Sequence, residues 1–196
     1  SCTVVIPCRN EVGNIAGTVA RIPPMGSHTE ILFVDGDSTD GTPEAIEGAI
    51  EQYRGVRDIR LIRQIPATGK GDAVRRGFAA ATGDVVMILD ADLSVMPEDL
   101  PKFFLTLAEG RGEFVNGSRL VYPMERQAMR VLNLVANKIF GMLFSWLLKQ
   151  RIRDTLCGTK ALLRRDYDRI AANRAVFSEF DPFGDFDLLF GAARLN

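Results

Sequence analysis

Short apolar runs alternate with stretches of helical spacing through the first 119 residues, and this rhythm restricts the fold more than any other feature. The runs are "CTVVIP", "EILFVD", "IRLIR", "DVVMILD" and "EFVNGSR". Most are near-continuous in apolar residues, the pattern of strands buried on both faces. Between them, Val12, Ile15, Val19 and Ile22 recur at helical spacing. So do Ala45, Ile46, Ala49 and Ile50, behind a Pro43 suited to a first turn. "GKGDAVRRGFAAA" and "MPEDLPKFFLTLAEG" supply a third and a fourth helix, the latter with Pro97 near its start and Gly110 at its stop. Strands and helices in turn predict an α/β fold, a mostly parallel twisted sheet with helices on both faces.

Past residue 120 the rhythm breaks. "MERQAMRVLNLVANKIFGMLFSWLLKQ" reads as a long helix, followed by a turn-like "RIRDTLCGTK", a short apolar "ALL" and a last helix around "GDFDLLFGAARL". At 196 residues and 46% hydrophobic, the chain fits one globular domain with a sizeable core. Residues 1–118 form its first half and 119–196 its second. The chain starts on a strand and stops at "GAARLN" without a closing signal, so it is expected to be truncated at the C-terminus relative to its parent.

Charge and rare residues exclude several function classes. A formal net charge of −1 excludes nucleic-acid binding by bulk charge. The charge is uneven, however. Residues 1–110 carry 10 Lys/Arg and 16 Asp/Glu, whereas residues 111–174 carry 13 and 5. This split suggests two subsites with different partners; a solvated basic helix surface is the plainer alternative. Cys2, Cys8 and Cys157 form no CxxC pair and read as small buried hydrophobes. The lone histidine, His28, excludes zinc sites of the two-His kind. No stretch reaches the roughly 18 apolar residues of a membrane span. "IFGMLFSWLL", between Lys138 and Lys149, reads either as a buried core helix or as an interfacial helix lying on a membrane.

In open α/β sheets ligands bind outside the carboxyl ends of the strands. The polar signals of this chain cluster there: "PCRNE", "DGDSTDG", "DADLS" and "GSR". Asp90 and Asp92 end the fourth strand with only Ala91 between them. Residues i and i+2 of an extended chain share a side, so the two carboxylates converge if the strand continues that far. Two close carboxylates need a cation between them to stay ionised. Mg²⁺ typically takes one or two carboxylates and leaves positions for phosphates. The plain alternative is two separately solvated loop acids.

"VVIPCRNEVGNI", "ILFVDGDSTDGT", "GKGDAVRRGFAAATGDVVMILDADL", "NGSR" and "DTLCGTKALLRR" follow in one order across residues 4–165. That ordered set resembles the family 2 glycosyltransferases, most closely the branch of dolichyl-phosphate mannose synthases and polyprenyl-phosphate glycosyltransferases. The resemblance implies the GT-A (nucleotide-diphospho-sugar transferase) fold, with a nucleotide-sugar-binding first half and an acceptor-binding second half. It implies inversion at the sugar carbon and a Mg²⁺ or Mn²⁺ cofactor. It places Pro7, Asn10 and Glu11 at the edge of the nucleotide site, and Asp35 at the nucleobase. The order "DGDSTDG", against the family's usual "DDGSTDG", leaves open whether Asp37 joins Asp35. The resemblance sets Lys70 and Gly71 near the nucleotide phosphates, and Asp90, Ala91 and Asp92 at the metal and diphosphate, with both acids as metal ligands. Ser94 stands where the mannose-synthase branch often has Gln. The resemblance further implies catalytic roles for Asp92, Asp154 and Arg119. Arg119 and Arg130 would meet the acceptor phosphate, with Asn133 or Asn137 beside them and Lys160 near Asp154.

A hydroxyl acceptor needs a general base, for which Asp154 or Asp185 is available. A lipid phosphate is already an oxyanion and needs only cations to position it. The basic second half favours the lipid phosphate. The expected partners are therefore a nucleotide-sugar donor (GDP- or UDP-linked) and a polyprenyl or dolichyl phosphate, met at the cytoplasmic face of a membrane. A transferase acting on a hydroxyl and a non-catalytic nucleotide-sugar-binding module are the alternatives. A sugar-1-phosphate nucleotidyltransferase would carry a Gly-rich basic loop where this chain has "PCRNEVGN".

Overall fold

The computed structural model describes residues 1–118, 157–172, 188 and 191–192. The long helix expected at 124–150 lies outside them. In chain order the elements are β1 (Cys2–Cys8), α1 (Val12–Arg21), β2 (Thr29–Asp35), α2 (Thr42–Gln52), β3 (Asp58–Arg63), α3 (Lys70–Ala80) and β4 (Val85–Ile88). A 3-10 turn (Pro97–Asp99), α4 (Leu100–Ala108), β5 (Phe114–Asn116), β6 (Lys160–Leu163) and α5 (Arg164–Ala172) follow.

Among the described residues these strands make one six-stranded sheet in the order β3-β2-β1-β4-β6-β5. β1 pairs in parallel with β2 and β4, and β2 with β3. β6 runs antiparallel between β4 and β5, with Ile88 opposite Lys160 and Asn116 opposite Lys160 on its other side. The sheet is thus mostly parallel, with one strand entering from the opposite end. β5 follows β4 in sequence but does not touch it in the sheet.

Alternation along each strand feeds two cores. Val4 and Ile6 of β1, Phe33 of β2 and Met87 of β4 pack under Ile15 and Val19 of α1, Ile46 of α2 and Leu100 of α4. Val5, Leu32, Val34, Val86 and Ile88 face Val74 and Phe78 of α3 and Tyr167 and Ile170 of α5. Phe78 and Tyr167 meet edge-to-face at 4.8 Å, the favoured aromatic geometry. With helices on both faces, the strands have no polar side to show, which is why they read as continuous apolar runs.

One charge is buried at the amino end of the sheet, away from the strand ends that carry the motifs. Glu30 is fully buried. It accepts from Thr3 Oγ1 (2.5 Å), Thr82 N (2.9 Å) and Thr82 Oγ1 (2.9 Å), and pairs with Arg60 (2.5 Å). Burial opposes its ionisation, but the bonds from Thr3, Thr82 and Arg60 outweigh it and hold the carboxyl below its usual value.

Candidate functional site

The first ledge of the site is built from the loops after β1 and β2, which are stitched together. Asn10 N donates to Ser38 Oγ (2.9 Å), and Thr39 N donates to Asn10 Oδ1 (3.0 Å). Glu11 N donates to Thr42 Oγ1 (2.9 Å) and Val12 N to Asp40 Oδ2 (3.2 Å). Asn10 and Asp37 both adopt left-handed backbone, at φ 57° and 59°, a conformation that Asn and Asp tolerate best after glycine. "RNE" and "STDGT" therefore work as one braced unit, and the Asn10 side chain is spent on the bracing.

Asp35 ends β2 beneath this ledge and is fully buried. Its Oδ2 accepts from Ser38 N at 3.3 Å, whereas its Oδ1 has no hydrogen-bond partner among the described residues. An orphaned buried acceptor is rare and calls for a reason. Asp37 is exposed. Opposite Asp35 on β1, the Cys8 thiol is pushed up to about 12, by burial first and then by Asp35, Glu11 and Asp40. Negative charge is thus concentrated at the ends of β1 and β2.

A cavity of about 320 Å³ opens beside this ledge, lined by Pro7, Cys8, Arg9, Glu11, Gly36, Gln64, Ala67, Gly69, Lys70 and Ala73. Three of the expected residues thereby come together in the wall, Pro7, Glu11 and Lys70; Asp35 precedes Gly36 but is fully buried and does not line the cavity. Gln64 extends β3 by donating its backbone N–H to Asp35 O at 2.8 Å. Its Nε2 lies 2.8 Å from Thr68 Oγ1, 3.1 Å from Gly69 O and 2.7 Å from Asp72 Oδ2. Asp72, in the first turn of α3, also accepts from Thr68 Oγ1 and Arg76 Nε, both at 2.6 Å. Burial works against its charge, but Thr68, Gln64 and Arg76 together hold the carboxyl down at about 2.

The two acids of "DAD" are placed by a turn, which corrects the expected strand alternation. β4 ends at Ile88, and Leu93 N closes a turn onto Asp90 O at 3.1 Å. Leu93 takes φ 55°, so the chain has left the extended geometry that would aim Asp90 and Asp92 alike. Asp90 turns toward α3 and pairs with Lys70 Nζ at 2.6 Å. Asp92 is exposed and accepts Ser94 N on Oδ1 at 2.9 Å. Ala91, between them, is buried.

β6 closes the far side. A Cβ on Gly158 would stand 2.7 Å from Asp90 Oδ1 and closer still to Asp90 Oδ2 and Lys70 Nζ. Only glycine lets the backbone approach that pair so closely. Lys160 is 1% exposed and donates to Cys157 O at 2.7 Å. Asp90 and Asp92 offer oxygen donors of the kind hard divalent cations take, and the Lys70 ammonium already sits on Asp90 where positive charge is wanted. Among the described residues no group of three or more His, Cys, Asp or Glu could hold an ion by itself. A cation held by this pair would have to take most of its ligands from substrate oxygens and water.

Arg119, Arg130, Asn133, Asn137, Asp154 and Asp185 lie outside the described residues, so the expected acceptor side is not among these contacts. Sequence reasoning missed Gln64, Asp72 and Gly158. Gln64 follows directly on a strand, the position that marked the other polar residues, and that signal was available.

Residues 3–170 match the family described as "Glycosyl transferase family 2". A dolichol-phosphate mannosyltransferase of Pyrococcus furiosus is 36% identical over 121 residues, covering 61% of this chain and 33% of that protein. Glycosyltransferase AglJ of Haloferax volcanii is 32% identical over 165 residues, covering 84% and 50%. The chain thus spans half or less of these curated relatives. Among solved structures, glucosyl-3-phosphoglycerate synthase of Mycobacterium tuberculosis, in complex with Mn²⁺, UDP and glucosyl-3-phosphoglycerate, superposes with a TM-score of 0.63 at 24% identity. That match covers 86% of this chain and 58% of the other, and it shows a shared GT-A fold.

Proposed function

The chain belongs to glycosyl transferase family 2, and from that premise we propose that it transfers a sugar from a nucleotide-sugar to a polyprenyl or dolichyl phosphate, with inversion at the sugar carbon. The observation that carries the reading is the meeting of the cavity at Gly36 and Gln64 with the Lys70–Asp90 pair, at one end of the sheet. The cavity suits the nucleoside, and Lys70 at the N-terminus of α3 suits the diphosphate, since cationic side chains and helix N-termini both favour anions.

Asp90 and Asp92 would hold a Mg²⁺ or Mn²⁺, which supplies Lewis-acid stabilisation of the departing diphosphate when bound. Lys70 offsets the charge of Asp90 and brings positive charge to the place proposed for the diphosphate. Gly158, two residues before β6, brings its own backbone close against this pair. In the reaction an acceptor phosphate oxygen forms the new bond to the sugar carbon, while the bond to the nucleoside diphosphate breaks on the opposite side. An acceptor that is already anionic yields no proton, so no general base is required. The excess of Lys/Arg in residues 111–174 supports such an acceptor, as does the dolichol-phosphate acceptor in the name of the Pyrococcus relative. The site of action would be the cytoplasmic face of a membrane. Among the described residues no helix is long and apolar enough to cross one.

The test is a transfer assay with the purified chain, Mn²⁺ or Mg²⁺, GDP- and UDP-linked sugars, and a polyprenyl phosphate. Product on the lipid phosphate is expected. Product on soluble hydroxyl acceptors alone would overturn the acceptor assignment.

A further inference from the structure

One polar side chain of the cavity wall has no contact of its own with the donor in the reading above. Gln64 is 1% exposed. A primary amide has one donor end and one acceptor end, and the surroundings of Gln64 fix which end faces where. Two of the three acceptors around Nε2, Gly69 O and the Asp72 carboxylate, have no proton to give. The NH₂ end is therefore committed to the loop and to α3. The carbonyl end is left on the side of Gly36, with Oε1 3.6 Å from where a Cβ on Gly36 would stand. Cys8 O lies 3.5 Å from the same point. That oxygen accepts Gly36 N at 2.9 Å and keeps a second lone pair. Gly36 thus leaves open a gap flanked by two acceptors, in a cavity whose wall also includes Pro7, Arg9, Glu11, Ala67, Lys70 and Ala73.

We infer that Gln64 reads the nucleobase of the donor, its Oε1 accepting the ring lactam N–H of uracil or guanine, and that Asp72 is the positioning residue that fixes the amide. The inference rests on the proposed use of a nucleotide-sugar and goes beyond it by assigning base selectivity to one side chain. Uracil and guanine carry a ring N–H where cytosine and adenine carry a bare ring nitrogen. An acceptor held in place favours the first pair and faces a lone pair in the second. A site built around one hydrogen bond rejects the analogue lacking it, because a buried polar group is then left unpaired.

The experiment measures binding of UDP, CDP, GDP and ADP by titration calorimetry with Mn²⁺ to the 196-residue chain and its variants. The wild type should prefer UDP over CDP, or GDP over ADP, by about tenfold, the size of one such bond. Whichever pair shows the preference identifies the base. Gln64→Met, of similar volume but without the amide, should bring the preferred nucleotide down to the level of its partner. Asp72→Ala frees the amide to rotate and should narrow the ratio, while Asp72→Asn keeps an acceptor for Nε2 and should restore it. A wild-type ratio in Gln64→Met overturns the inference, and so does an equal loss for all four nucleotides, which marks a structural role. Binding of none of the four to the wild type overturns the donor reading itself, and the inference with it.

Discussion

Replacing Gly158 with alanine tests whether the backbone leading into β6 sets the geometry of the Lys70–Asp90 pair. The new Cβ would stand 2.7 Å from Asp90 Oδ1 and nearer still to Oδ2 and to Lys70 Nζ. Ordinary contact begins at 3.4 Å, so the carboxylate and the ammonium must each retreat by roughly 1 Å. A misplacement of that size at a reacting centre costs on the order of 100-fold in rate, or about 2.7 kcal/mol of transition-state stabilisation. The stability cost is smaller. Overpacking costs about 1–3 kcal/mol, and the displaced atoms end side chains still 31% and 19% exposed, so the low end applies. For a chain of this size about 1 kcal/mol lowers Tm by roughly 2–4 °C. The expected result is a fall of about 100-fold in kcat/KM for transfer, with a melt displaced by only a few degrees. Gly112→Ala is the control, because its Cβ would meet only Thr106 Cγ2, at an ordinary 3.5 Å. Transfer by Gly158→Ala within about threefold of wild type would refute the reasoning.

Further outcomes follow from other sites. Asp92→Ala should abolish Mn²⁺-dependent nucleotide binding and leave the circular dichroism unchanged, since Asp92 is exposed and, among the described residues, braces Ser94 N alone; binding equal to wild type would remove it from the cation site. Gly48→Ala, within α2 and with nothing within 4 Å of the new methyl, should stabilise by about 0.5–1 kcal/mol, read as a higher denaturant midpoint. Glu30 and Asp72 titrate below their usual 4.5 and 3.8, Asp72 at about 2. Their contribution to stability is therefore complete above about pH 4.5 and is lost as pH falls toward 2. Glu30→Gln should flatten the upper part of that acid limb in urea titrations, and an unchanged slope would count against it.

The elements with dense periodic patterns were legible from sequence: β1 to β5 and α1 to α4 coincide with the apolar runs and helical spacings. Two were not. β6 is four residues long and begins with a lysine, so its burial depends on the strand it pairs with and not on its own composition. α5 buries only Tyr167 and Ile170 among its nine residues, too sparse a stripe to show periodicity. The same division holds at the site. Asp35, Lys70 and Asp90 stand out as polar residues at strand ends and helix starts. The turn at residues 90–93 does not, because its left-handed Leu93 runs against the preference of leucine. Asp72 reads in sequence as an ordinary helical partner four residues before Arg76, and nothing local announces that it also holds Gln64.

The placement of β6 sets an order of events in the life of the chain. β4 has β1 on one side, but its other neighbour arrives only with Lys160, 72 residues after Ile88. During synthesis β4 is thus the open edge of a half-built sheet, four buried apolar residues long, and such edges invite pairing with foreign strands. Closing so long a loop is slow. A product ending before Gly158 would leave that edge bare and leave Asp90 and Lys70 without the Gly158 backbone against them. Competence to bind the donor and protection from aggregation should therefore appear together, once the nascent chain has delivered β6.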